Sequence, residues 1–255
     1  MVRVYICRDN VTGLFSAVYD AWMECRTTGN AEIVFRGSIE QKLFCEYVES
    51  EESEEKAAAV QRLIQKYLGE TAYKMLYFAA LSNDKEKGNA IWGTMLAARE
   101  MKDSKKVMEN LTNPSVEKAF SLYRQVGNES HFFKEILRFR ELESGILFAR
   151  IAPKSQVLTT LAPHFDNRLP LENWMIYDET HQSFIIHEAK KHWVYVMGTT
   201  VDFGKLERLS EDELEIERLW KGFFESISIK ERENSQLQKS HFPIWYRKHV
   251  VEFQV

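Results

Sequence analysis

With 255 residues, 44% of them hydrophobic and 28% charged, the chain has material for a sizeable core and the proportions of a globular protein, which excludes a disordered or fibrous one. Its formal net charge of -4 excludes a body coated in positive charge but is compatible with a basic face on an acidic body. The length lies between one large domain and two small ones, and two lobes are expected, 1–142 and 143–255.

Val2, Val4 and Ile6 alternate with Arg3, Tyr5 and Cys7, which is the period of a strand. Leu14, Val18, Ala21, Trp22 and Cys25 follow at helical spacing, and "AEIVFRG" reads as a second strand, so the chain opens β-α-β. Such a unit cradles phosphate when glycines in its first turn let backbone N–H groups approach. "CRDNVTGLF" supplies only Gly13, so no nucleotide site is expected here. Cys7, Cys25 and Cys45 form neither a disulfide framework nor a CxxC metal knuckle, and are read as reduced, structural thiols. "MVRVYICRDN" is too short in apolar residues for a signal segment, and nowhere do about 18 uncharged apolar residues run together. A cytoplasmic location without membrane association is expected.

Glu46, Glu49, Glu51, Glu52, Glu54 and Glu55 read as the solvated acidic start of the helix "KAAAVQRLIQKYLG", whose stripe is Val60, Leu63, Ile64, Tyr67 and Leu68 and whose stop is Gly69. From Thr71 to Leu142 the pattern stays helical, with Met75, Leu76, Ala79 and Ala80 on one face and then "AIWGTMLAARE". "NPSVEKAFSLYRQV" opens with Asn113 as N-cap and Pro114 at the first helical position. Asn128 is expected to cap a separate helix, "ESHFFKEILRFREL", with Phe132, Phe133, Ile136 and Leu137 inward and Lys134, Arg138 and Arg140 forming a basic outer side.

The second half changes character. "GILFARIA", "NWMIYDE", "QSFIIHE" and "HWVYVMG" are short β-branched and aromatic runs between turn-prone residues, the pattern of an antiparallel meander. Ser210 and Glu213 make a capping box for "EDELEIERLWKGFFESI", with Leu214, Leu219, Phe223 and Ile227 as its expected buried stripe. The order predicts an α+β fold: a β-α-β opening, a central helical segment, and a C-terminal antiparallel meander with flanking helices.

In "APHFDNR", a helical turn opened by Pro163 would set His164 and Arg168 at i and i+4, spaced to hold one phosphate or carboxylate. A neutral histidine there can also act as acid or base; alternatively Phe165 anchors the turn and His164 bonds a carbonyl. Asp178 in "WMIYDET" can serve as a catalytic carboxylate beside that pair, or simply cap its own turn. His181, His187 and His192 lie close in sequence, but strand alternation separates their faces, so neither a metal nor another cofactor is expected. In "HFPIWYRKHVVEF", Pro243 blocks a regular ladder, so Phe242, Trp245 and Tyr246 should fold back while Arg247, Lys248 and His249 project. Interleaved rings and cations suit single-stranded or distorted nucleic acid, and equally a C-terminal clamp with solvated charges.

The run "FFKEILRFRELESGILFARIAPKSQVLTTLAPHFDNRLPLENWMIYDETHQSFIIHE", with "LWKGFFESISIKEREN" and "HFPIWYRKHVVEF", resembles a bacterial family of probable DNA metabolism proteins, whose domain is also found fused to uracil-DNA glycosylase modules. The matching positions are Phe139, Arg140 and Glu141, Pro153, His164, Phe165 and Arg168, Trp174, Ile176 and Asp178, Arg232 and Asn234, and Pro243, Tyr246, Lys248 and Glu252. The resemblance implies DNA repair or modification and a radical S-adenosylmethionine protein as partner. On that reading the chain is a DNA-binding accessory protein, with Arg138, Arg140, Arg168, Arg232, Trp245, Tyr246, Arg247 and Lys248 as its DNA contacts. The alternatives are a hydrolase or glycosylase-like enzyme acting on a flipped base through His164 and Asp178, and a protein-binding scaffold without nucleic acid.

Overall fold

The N-terminal alternation becomes β1 (Val2–Cys7), the central strand of a parallel sheet in the computed structural model, which describes residues 1–39, 42–198, 203–206, 208–227, 234–250 and 253. On either side of β1 lie β2 (Ala31–Phe35) and β3 (Cys45–Glu49), with Tyr5 opposite Ile33 on one flank and Val48 on the other. The connecting helix α1 (Val11–Cys25) is capped by Asn10, whose side chain accepts from Gly13 N at 2.6 Å. A Cβ on Gly13 would lie 2.9 Å from the Arg8 carbonyl oxygen, so this glycine serves the tight β1–α1 turn.

Strand β3 takes Glu46 and Glu49 out of the expected helix start. They pair with Arg3 and Arg36 on the sheet, and only Glu54 and Glu55 remain in the first turn of α2 (Glu54–Tyr67), behind N-cap Ser53. An edge strand loaded with carboxylates reads in sequence as a solvated helix start because neither buries its charges. Gly69, at φ 93°, ends α2 and lets α3 (Glu70–Leu81) begin at once. Then come α4 (Lys87–Glu100) and the 3-10 turn Ser104–Glu109. Leu14, Val18, Ile33, Ile64, Leu76, Ile91 and Met95 form the centre of this unit's core. At its edge Lys87, only 1% exposed, gives its ammonium to Asp9 Oδ1 and to the Ser82 carbonyl, each at 2.5 Å, and lies 4.9 Å from the Phe35 ring.

Asn113 accepts from Ser115 N and Val116 N, as its position before Pro114 predicts, and starts α5 (Pro114–Ile136). Contrary to expectation, Asn128 caps nothing, because α5 runs through it. Val116, Ala119, Val126, Ser130 and Phe133 are all buried at spacings of three, four and seven, so one stripe stays in phase across the residue that suggested a break. The chain divides into two compact units inside this helix, Met1–Asn128 and Glu129–Val255, rather than at residue 142. Because α5 stops at Ile136, Arg138 lies beyond it and Arg140 opens β4 (Arg140–Glu141); neither belongs to a basic helix face.

The second unit is built on a five-stranded sheet in the order β4, β5 (Leu147–Ile151), β6 (Trp174–Asp178), β7 (Ser183–His187), β8 (Val194–Met197). Its pairings are antiparallel except β5 with β6, where α6 (Leu158–Arg168) carries the chain back to make the neighbours parallel. Pro163 lies inside α6 instead of opening it. After α7 (Phe203–Leu206) comes α8 (Glu211–Ile227), whose start is half of the expected capping box. Ser210 Oγ accepts from Glu213 N at 3.1 Å, while the Glu213 carboxylate accepts from Glu141 N instead of turning back. The expected buried stripe is corrected: Leu214, Leu219 and Phe223 are exposed, and the Ile227 side chain is not among those described. The chain closes with α9 (Ser235–His241) and the 3-10 helix Ile244–His249. The fold is thus mixed α+β with a strand-helix-strand opening and a C-terminal antiparallel meander flanked by helices.

Candidate nucleic-acid interface

The tail folds back by its rings. Tyr246 lies 4.4 Å from Phe132 and 5.2 Å from Phe133, Phe242 lies 5.6 Å from Phe132, and Val250 is buried. Burial first, and the Glu129 charge second, push the Tyr246 phenol up to about 12. Trp245 is different: it is 51% exposed, a correction to the expectation that it would be covered. One edge is fixed, since Nε1 donates to the Ala152 carbonyl at 2.7 Å, and Lys154 Nζ lies 5.7 Å from the ring centroid. The Lys154 backbone is itself pinned, because the buried Glu129 carboxylate accepts from Lys154 N at 2.7 Å and from Ser155 N at 3.0 Å.

Trp245 borders a groove between β5, the end of α5 and the tail. Its charged side chains are Arg138, Arg150, Lys248 and His249, and no acidic residue lines it among the described residues. Among the described residues the counter-charge is the carboxylate of Glu179, 14% exposed at the β6–β7 turn. Arg150 Nε lies 2.9 Å from it, His249 Nε2 lies 3.3 Å away, and Lys248 donates to it. Burial alone would raise the Glu179 carboxyl, but the bond from Lys248 and the charges of His249 and Arg150 outweigh it and hold the group below its ordinary value. Burial is also the largest influence on His249 and keeps that imidazole below its usual range.

Arg247 does not project. Its guanidinium donates to the carbonyls of Phe242, at 2.7 Å, and Gln238, at 3.0 Å, and it lies between the Phe242 and Phe253 rings. It therefore closes the C-terminus of α9. Of the other expected contacts, Arg138 is exposed beside the groove, and Arg140 is tied to Glu217 at 2.5 Å. Arg232, like Glu252, lies outside the described residues.

On α6, His164 and Arg168 do stand at i and i+4, and Lys134 of α5 adds a second cation near the ring. Burial first, then Lys134 and Arg168, hold the His164 imidazole below its ordinary value. Its Nε2 is buried and makes no hydrogen bond among the described residues. Asp178 is directed elsewhere: Oδ1 accepts from Thr180 N and His181 N, and Oδ2 lies 2.6 Å from His181 Nδ1. It is fully buried as the cap of its own turn. His187 is buried in β7, while His192 lies in the β7–β8 connection.

Sequence reasoning missed Arg150, Lys154 and Glu179. Only Arg150 carries a signal, as a lone cation in the apolar run "GILFARIA". A family model described as a domain of unknown function, DUF4130, matches residues 85–252, which run from α4 into the tail. No curated protein matches the chain.

Proposed function

As the chain belongs to the DUF4130 family, a domain of unknown function, we propose from its own chemistry that it is a DNA-binding accessory module whose Trp245 groove takes single-stranded or locally unpaired DNA. The observation that carries this reading is a half-exposed indole, pinned through its N–H to Ala152, beside a groove whose charged lining is entirely basic. A base can stack on the open part of the ring while Arg138, Lys154 and Lys248 follow phosphates. Resemblance to DNA metabolism proteins supports DNA as the polymer and adds a radical S-adenosylmethionine enzyme that would act on the strand so presented. The hydrolase or glycosylase-like alternative draws less support, since Asp178 is occupied by its own turn and by His181.

Fluorescence anisotropy with a labelled single-stranded oligonucleotide at two salt concentrations tests the reading. Binding should weaken as salt rises, and Trp245→Ala should weaken it by roughly 5-fold to 150-fold, the equivalent of about 1 to 3 kcal/mol for one stacked base. Absence of binding at low salt by folded protein would sink it and leave the scaffold reading.

A further inference from the structure

Helix α8 is held to its unit by its polar side. Arg140 Nε lies 2.5 Å from Glu217 Oε1, and Glu141 N donates to Glu213 Oε2 at 3.1 Å, so these two carboxylates mark the inward face. At about 100° per residue, Ile216, Leu219, Trp220 and Phe223 fall together on another face, at i, i+3, i+4 and i+7. All four are exposed, Leu219 by 66% and Phe223 by 53%, and the Trp220 and Phe223 rings lie 5.9 Å apart. Rolling the helix to cover them would strip part-buried Arg140 of its carboxylate. The fold therefore fixes an apolar stripe outward, and a contiguous stripe, unlike a lone exposed leucine, marks a surface that something else covers.

We propose that the outward face of α8 binds an amphipathic helix of a partner protein, one carrying leucine or phenylalanine anchors flanked by lysine and arginine. The spacing of the stripe is that of a helix-packing seam, so a helix is the shape it fits. Charge decides between occupants. Exposed Asp212 and Glu215 border the N-terminal half of the stripe, whereas Arg218 and Lys221 fall on the far side of the helix, where Glu211 also lies one heptad before Arg218. A second copy of α8 brings no basic residue to that border, where the remaining positions are Gly222 and Ser226. A basic helix places a cation against each acid.

The test titrates the whole protein into a fluorescent leucine–lysine amphipathic peptide and, in parallel, into the same peptide with every lysine replaced by glutamate. The lysine peptide should bind at least about tenfold more tightly. Leu219→Ser with Phe223→Ser should lower that affinity at least about tenfold at unchanged melting temperature, and Asp212→Lys with Glu215→Lys should reverse the peptide preference. Equal affinity for the two peptides, or binding indifferent to the Leu219 and Phe223 changes, would overturn the proposal. So would a concentration-dependent dimer that Leu219→Ser with Phe223→Ser dissolves, since the face would then belong to a second copy. Oligonucleotide binding by these variants should stay as in the parent, which separates this surface from the Trp245 groove.

Discussion

The His187 imidazole lies flat on the Trp174 indole, centroids 4.9 Å apart and planes 8° from parallel, while Nδ1 is 2.9 Å from the Glu172 carbonyl and Nε2 is 3.1 Å from Asp166 Oδ1. Each ring nitrogen thus faces an acceptor, a backbone carbonyl on one side and a carboxylate of α6 on the other, so the ring is held on both edges as well as on its face. His187→Ala should therefore destabilise the second unit by roughly 2 to 4 kcal/mol, combining lost stacking with a cavity beside Trp174. Chemical denaturation followed by tryptophan fluorescence measures this. A loss below about 0.5 kcal/mol would show that the stack contributes nothing.

Glu179 gives the molecule an acid-sensitive tail. Its carboxyl is held below the ordinary 4.5, so its contribution is fully present above that value and is lost as pH falls through the lower folded value. His249 is also depressed, so the folded state loses ground as pH drops below 6.5, where the unfolded histidine binds a proton first. Both signs agree: stability should fall with acidification, first below about 6.5 and again below about 4.5. Glu179→Gln should flatten the lower step, readable in melting temperature across a pH series.

The same substitution should tighten oligonucleotide binding at low salt. Removing this carboxylate, which touches Arg150, Lys248 and His249, leaves a groove more positive by one charge, so log affinity should fall more steeply with log salt. Weaker binding by Glu179→Gln would mean that the carboxylate positions those cations rather than competing for them.

Arg247 and Lys248 should separate, although they are neighbours in sequence. Arg247→Ala removes bonds to two carbonyls and should cost about 1 to 3 kcal/mol while leaving the salt slope unchanged. Lys248→Ala, at an exposed site, should stay within about 0.5 kcal/mol in stability and lower the slope by about 1. Equal effects on the salt slope would refute this division of roles.

In the first unit, Asp9→Ala should be worse than Lys87→Met. The former leaves an ammonium buried without its carboxylate, at a cost of about 3 to 5 kcal/mol, whereas the latter replaces the cation with an apolar chain of similar length. Thermal unfolding of the two variants reads the order directly.

How much of this could be read beforehand depended on how local the cause was. The β1–α1–β2 opening and the Asn113–Pro114 helix start follow from period and capping within a few residues, and both stand as read. The orientation of α8 does not follow from its pattern. Amphipathic spacing says which stripe is apolar, not which stripe faces the body, and here Arg140, 77 positions from Glu217, decides. Asn128 looked like a cap because its residue type suits one, but the stripe continuing to Phe133 overruled it. In the groove, the tail's own rings and cations were visible as composition. Glu179 and Ala152, 69 and 93 positions from the tail residues they hold, were not.

That long separation also sets when the groove can exist. Ala152 emerges during synthesis well before Trp245, and the closing contact must gather a loop of 93 residues, the kind of late, entropically expensive step that follows formation of local helices and hairpins. A nascent or partly folded chain therefore has a sheet but no groove. For the same reason, a transient opening that frees the 3-10 helix abolishes the ring platform while the strands behind it remain paired. Amide exchange should show Trp245 and Tyr246 opening more readily than Ile176 and Ile185, so oligonucleotide added to the exchange buffer should slow the tail amides most.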